Sequence, residues 1–136
     1  MTPEIPDTHR DLVEKPVFAT MVTLMPDGTP QASLVWWKHI DGFFYVSMWT
    51  GGQKYKNLLR DPRVTFLAFD PADPGRYIEV RGEVVAFEDG SDEWMDTFSL
   101  FYEGKRYYGE LVPEESRADP IAIVKVKPLR IRTRTG

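Results

Sequence analysis

The run Val17-Phe18-Ala19-Thr20-Met21-Val22-Thr23-Leu24-Met25-Pro26-Asp27-Gly28 decides the fold. Val, Thr, Phe and Met dominate its first nine residues, and these types fit a pleated, half-buried surface. Pro26-Asp27-Gly28 then makes a turn in which Pro sets φ and Gly is free to take positive φ. The run is therefore a strand that ends in a hairpin. Strand two continues from Thr29 to about His39, turns at Asp41-Gly42, and returns as strand three through Phe43, Phe44, Tyr45, Val46, Ser47 and Met48. Within strand two, Trp36 and Trp37 are adjacent and must point to opposite faces. One of them leaves the interior and needs cover from a helix, a ligand or a second copy of the chain.

Working outward, Asp7, Thr8, Leu12 and Val13 ahead of Pro16 predict a short helix over 6–15. Downstream of the hairpins, a Gly-rich loop feeds a short helix that Pro62 ends. Strand four is expected over Arg63 to Phe69, a loop over Asp70 to Gly75, and strand five over Arg76 to Phe87. Ser91 caps a further helix with Asp92 and Glu93 in its first turn, where carboxylates suit the positive end of the dipole. Its apolar face is Trp94, Phe98, Phe101 and Tyr102, and strand six covers Ile121 to about Thr133. The pattern is mainly β with short helices, a six-stranded antiparallel barrel, closed or nearly so, in one domain over 1–136. Lys125, Lys127, Arg130, Arg132 and Arg134 make the last strand basic, as expected of an exposed edge guarded by charge.

The 136 residues are 42% hydrophobic, enough for one core. Absence of cysteine excludes disulfides, thiolate metal sites and cysteine nucleophiles, and two distant histidines, His9 and His39, argue against a metal site or a catalytic triad. A net charge of -4 argues against nucleic acid as the main partner, including an OB-like reading with the aromatics as stacking platforms. No apolar run suits a membrane span, and the opening MTPEIPDTHR lacks the basic end and apolar stretch of a signal peptide, so a soluble, cytoplasmic protein is expected.

The chemistry gathers on Thr50-Gly51-Gly52-Gln53-Lys54-Tyr55-Lys56-Asn57. Lys54 and Lys56 stand at a helix start, which already carries partial positive charge and unpaired N–H groups. Cations are unfavourable there alone and become favourable around an anion, which Gly51 and Gly52 would let approach the backbone. The spacing is not that of a P-loop. A phosphate site and a plain solvated basic helix both fit these residues, and spacing alone does not separate them. Gln31, Ser33, Trp36, Ser47, Met48 and Trp49 fall near the same loop if strands two and three pair, and a planar ligand could lie there. Each aromatic taken singly is also an ordinary core or interface residue.

Three stretches together carry a resemblance: Phe18 to Gln31, Lys54 to Val64, and Arg76-Tyr77-Ile78-Glu79-Val80-Arg81-Gly82-Glu83-Val84. The chain resembles the split β-barrel flavin and deazaflavin proteins related to pyridoxamine 5'-phosphate oxidase, and within them the group that uses coenzyme F420. The resemblance implies a homodimer with cofactor sites at the interface. It makes Lys54 the phosphate-binding lysine, sets Ser47 to Thr50 along the ring and ribityl chain, and puts Gln31 and Ser33 near the cofactor. Asn57 would steady the loop, Gln53 and Trp36 would border the site, and Arg76 and Tyr77 would reach it from the partner subunit. It further implies hydride transfer from reduced F420 to an electron-poor small molecule. FMN is the alternative cofactor, and a non-catalytic flavin or tetrapyrrole carrier the alternative role. Gly52 stands where many members have Arg, which removes one positive charge. No C-terminal Arg/His motif is present, so oxidation of a vitamin B6 phosphate is not expected.

Overall fold

A computed structural model describes residues 2–135. Seven strands form one antiparallel sheet: β1 (Ala19–Leu24), β2 (Pro30–Val35), β3 (Lys38–Ile40), β4 (Phe43–Trp49), β5 (Arg63–Asp70), β6 (Asp73–Asp89) and β7 (Ile121–Arg134). Three helices accompany them: α1 (Asp11–Glu14), α2 (Gln53–Arg60) and α3 (Asp92–Glu103). The strand order is β2-β1-β5-β6-β7-β4-β3, so the two ends of the sheet are neighbours in the chain.

Seven strands replace the expected six because strand two breaks at Trp36-Trp37. Up to Val35 the chain pairs with β1, opposite Ala19, and from Lys38 it pairs with β4, opposite Tyr45. It changes partner across the mouth of the barrel. At the break Trp37 turns into the core and stacks on Phe44 at 4.8 Å, while its freed backbone N–H donates to the Tyr102 hydroxyl at 3.0 Å. Trp36 faces the other way and is covered by Tyr102, 5.2 Å away and nearly parallel. The hairpin between β3 and β4 turns on Asp41 and Gly42, both at positive φ, 51° and 85°, the backbone of a type I′ turn.

Two further boundaries differ from expectation. β6 begins at Asp73 because Pro71 and Ala72 make a tight turn, with the Asp70 carboxylate accepting from the Ala72 N–H at 2.9 Å. Pro74 is tolerated at the start of a strand. β7 is an edge over only part of its length: from Ile121 to Val126 it lies between β6 and β4, and from Lys127 onward it pairs with β6 alone.

Alternation along the strands sends Met21, Phe44, Val46, Phe66, Ile78, Val80, Val124 and Val126 into one core. A smaller cluster of Met95, Phe98, Tyr108 and Ile123 lies under α3. The Ser91 hydroxyl accepts from the Trp94 N–H at 3.2 Å and caps α3 as expected. The expected N-terminal helix is a 3-10 turn, Asp7–His9, followed by α1, and it buries His9, Leu12 and Val13. Among the described residues no helix is long and apolar enough to cross a membrane.

Candidate functional site

The sheet leaves one opening. β4 pairs with β3 only through Tyr45, and β2 pairs only with β1, so Pro30–Leu34 and Val46–Trp49 face each other without a ladder. α2 lies against the gap, and its register is set from beneath by Asn57. That side chain is fully buried and donates to the Thr23 hydroxyl at 3.0 Å, to the Gln31 side-chain carbonyl at 3.3 Å and to the Met25 sulfur at 3.4 Å. Its own carbonyl accepts from the Gln53 amide at 2.8 Å. One asparagine thus ties the helix to both strands of the first hairpin, and a buried amide with its partners satisfied holds one orientation.

Lys54, one turn earlier on α2, spans the gap and donates to the Ser33 hydroxyl at 3.1 Å. Among the described residues no carboxylate lies within ion-pair reach of its half-buried ammonium. Burial of the charged form holds its pKa below the ordinary 10.5. A cation desolvated without an acid beside it is stabilised by an incoming anion.

The cleft around Lys54 has two halves. On one side it is bordered by Gln31, Ser33, Met48, Trp49, Gly52 and Gln53, with a volume of about 280 Å³. On the other it is bordered by Phe18, Leu34, Val35, Trp36 and Ser47, with a volume of about 250 Å³. Lys54 borders both. On the Gln31 side the cleft is bordered by Trp49, 54% exposed, which lays its indole over Gly51. A Cβ at Gly51 would come within 2.3 Å of that ring, so only glycine allows the arrangement.

Eight of the residues singled out in the sequence meet here: Gln31, Ser33, Trp36, Ser47, Met48, Trp49, Gln53 and Lys54. Asn57 stands behind them, and Thr50 is bonded away, its N–H donating to the Pro120 carbonyl at 3.0 Å. Arg76 and Tyr77 border neither half. Arg76 is engaged within its own chain, with Asp11, with Asp70 at 3.1 Å and with the Thr8 carbonyl at 2.7 Å. Lys56 is exposed and borders neither half. Phe18, Leu34 and Val35 went unnoticed in the sequence because they read as ordinary strand residues. Among the described residues no group of three or more His, Asp or Glu gathers as a metal ion would require.

The model of the pyridoxamine 5'-phosphate oxidase family matches residues 5–135. Among solved structures, an F420 reductase is 32% identical; the likeness covers 94% of this chain and 98% of that one, with a TM-score of 0.76. A conserved hypothetical protein from Mycobacterium tuberculosis is 24% identical over 96% of this chain and 85% of that one, with a TM-score of 0.69. A haem storage protein from Vibrio cholerae, 11% identical over 97% and 96% of the two chains with a TM-score of 0.67, shares the fold. No curated protein matches the sequence. A barrel split between β2 and β4, with a match that runs from the first helical turn to the end of the last strand, has one reading: the chain belongs to the pyridoxamine 5'-phosphate oxidase family.

Proposed function

We propose that the protein is an oxidoreductase that binds coenzyme F420 in the cleft on Lys54 and passes hydride from its reduced form to an electron-poor acceptor, such as a conjugated double bond or a quinone-like ring. The observation that carries this reading is Lys54 itself, half-buried, without a carboxylate, and joined to both halves of the cleft. The 32% identity to an F420 reductase over nearly the full chain supports F420 as the cofactor.

The donor set suits a phosphorylated ring cofactor. Lys54 and the first-turn N–H groups of α2 take the anion. Gln31, Ser33 and Gln53 offer polar partners to a hydroxylated chain, and Trp49 and Trp36 offer flat faces. Bound F420 supplies the two-electron hydride chemistry, and the protein supplies orientation and exclusion of water. The acceptor takes the hydride at an electrophilic carbon and a proton from solvent. Gly52 leaves the anion end with less charge than an arginine would give it, which bears on F420 more than on FMN because F420 has the longer acidic tail.

A second copy of the chain completes the site in this reading. Leu34, Thr20 and Leu67 lie side by side across β2, β1 and β5, and Leu34 and Leu67 are 66% and 37% exposed. Leu34 also borders the cleft, so a partner packed on this face would roof it.

A side-by-side titration with F420 and FMN, followed by the fluorescence of each cofactor, tests the proposal. Tighter binding of F420, with turnover of its reduced form by a quinone, is expected. Preference for FMN would move the protein to flavin chemistry in the same cleft, and binding of neither would overturn the phosphate reading.

A further inference from the structure

Lys54 borders both halves of the cleft, and the half that holds Phe18 and Trp36 is shaped by a residue that does not border it. Tyr102, on the last turn of α3, stacks against Trp36 at 5.2 Å and 7° and against Phe18 at 5.7 Å and 29°. Those are the two aromatic walls of that half. Its hydroxyl also grips the backbone beside each wall: it accepts from the Trp37 N–H at 3.0 Å, and its proton lies within reach of the carbonyls of Val17, at 2.9 Å, and Trp37, at 3.0 Å. Val17 and Trp37 are the chain neighbours of Phe18 and Trp36. One phenol therefore sets both rings and the backbone that carries them, at the point where strand two breaks and loses its ladder. No acidic side chain borders either half of the cleft.

We infer that Tyr102 is a positioning residue for a ring-binding subsite, and that the half of the cleft bordered by Trp36 and Phe18 takes a flat ring without positive charge. This rests on the proposed function for the two sources of such a ring, the cofactor itself or the hydride acceptor. The chemistry of recognition is the same for both: stacking on a fixed aromatic wall, with no carboxylate to favour a cation. Burial pushes the Tyr102 phenol up to about 12, so its hydroxyl stays intact as a clamp at any working pH.

The test compares riboflavin, FMN and menadione, read by flavin fluorescence and by tryptophan quenching, on the full chain and on Tyr102→Phe and Trp36→Leu. Riboflavin carries the ring without the phosphate, and menadione carries a ring of the acceptor type alone. Both variants are expected to weaken riboflavin, menadione or both by about tenfold. Loss for riboflavin assigns the subsite to the cofactor ring, and loss for menadione alone assigns it to the acceptor. The ratio of FMN to riboflavin affinity reports on Lys54 and is expected to stay within twofold in Tyr102→Phe, which a general collapse of the cleft would not allow. Trp36→Leu keeps the test alive should Tyr102→Phe fold poorly, because it removes a wall and leaves the clamp. Affinities for both rings unchanged in both variants, no binding of either ring by the wild-type protein, or a fall in the ratio would each overturn the inference. Equal binding of FMN and riboflavin by the wild-type protein would instead sink the phosphate reading and leave the ring subsite standing.

Discussion

Lys54 imposes opposite demands on stability and on binding. Its native pKa lies below 10.5, so between the native value and 10.5 the unfolded chain binds more protons than the folded one, and stability rises with pH through that window. Below the window the buried charge is a standing cost. Lys54→Met is therefore expected to melt no lower than the wild type at pH 7 without ligand, and to lose the gain in melting temperature expected of the wild type as the pH approaches 10.5 from below. It should also lose roughly tenfold or more in affinity for FMN, in line with about 1.5–3 kcal/mol for a hydrogen bond to a charged group, with riboflavin unaffected. Asn57 acts through the helix it holds: Asn57→Leu strands the Thr23 hydroxyl and the Gln31 and Gln53 amides and is expected to cost about 1–3 kcal/mol in denaturant unfolding. Lys54 and Lys56 stand out alike in the sequence as cations at a helix start, and only the resemblance to the family distinguishes Lys54. Tyr102 does not stand out, because at its position on the helix it reads as one more apolar residue of a packing face, and nothing local reports where its hydroxyl goes.

Among the elements, α3 matters to the cleft through its last turn, so its first turn acts at a distance. Ser91→Ala removes the cap on the Trp94 N–H and should cost about 1 kcal/mol, a fall of about 4 °C in melting temperature by calorimetry. Because Tyr102 lies at the far end of the same helix, cofactor affinity should change little, as fraying at the cap does not reach about three turns on. The strands themselves were readable wherever period-two burial met a turn signal, as in β1, β4 and β5. Sequence reasoning failed where a strand changes partner. Trp36 and Trp37 alternate in the same way on a continuous strand and on a broken one, and only the pairing of β2 with β1 and of β3 with β4 distinguishes the two. It also failed at Asp73, where Pro74-Gly75 has the composition of a loop yet falls within β6, at the irregularity between the Phe69–Tyr77 and Asp70–Asp73 pairs.

Across the whole molecule, the apolar row of Leu34, Thr20 and Leu67 meets Glu79 on β6, opposite Leu67, and its neighbouring row ends at Arg81. A greasy centre with a charged border suits a contact between copies. Leu67→Asp is expected to halve the mass measured by sedimentation and to weaken cofactor binding with it; a wild-type protein that sediments as a monomer would remove the roof from the proposed site. The split in the barrel has one more consequence. Along the gap, β2 has no second neighbour, so alternate amides between Gln31 and Leu34 meet solvent where those of β6 meet β5 or β7. Deuterium should therefore enter that strand early in the empty protein and late once a ligand lies along it, so the backbone itself reports whether the cleft is filled, whatever the colour of the molecule that fills it.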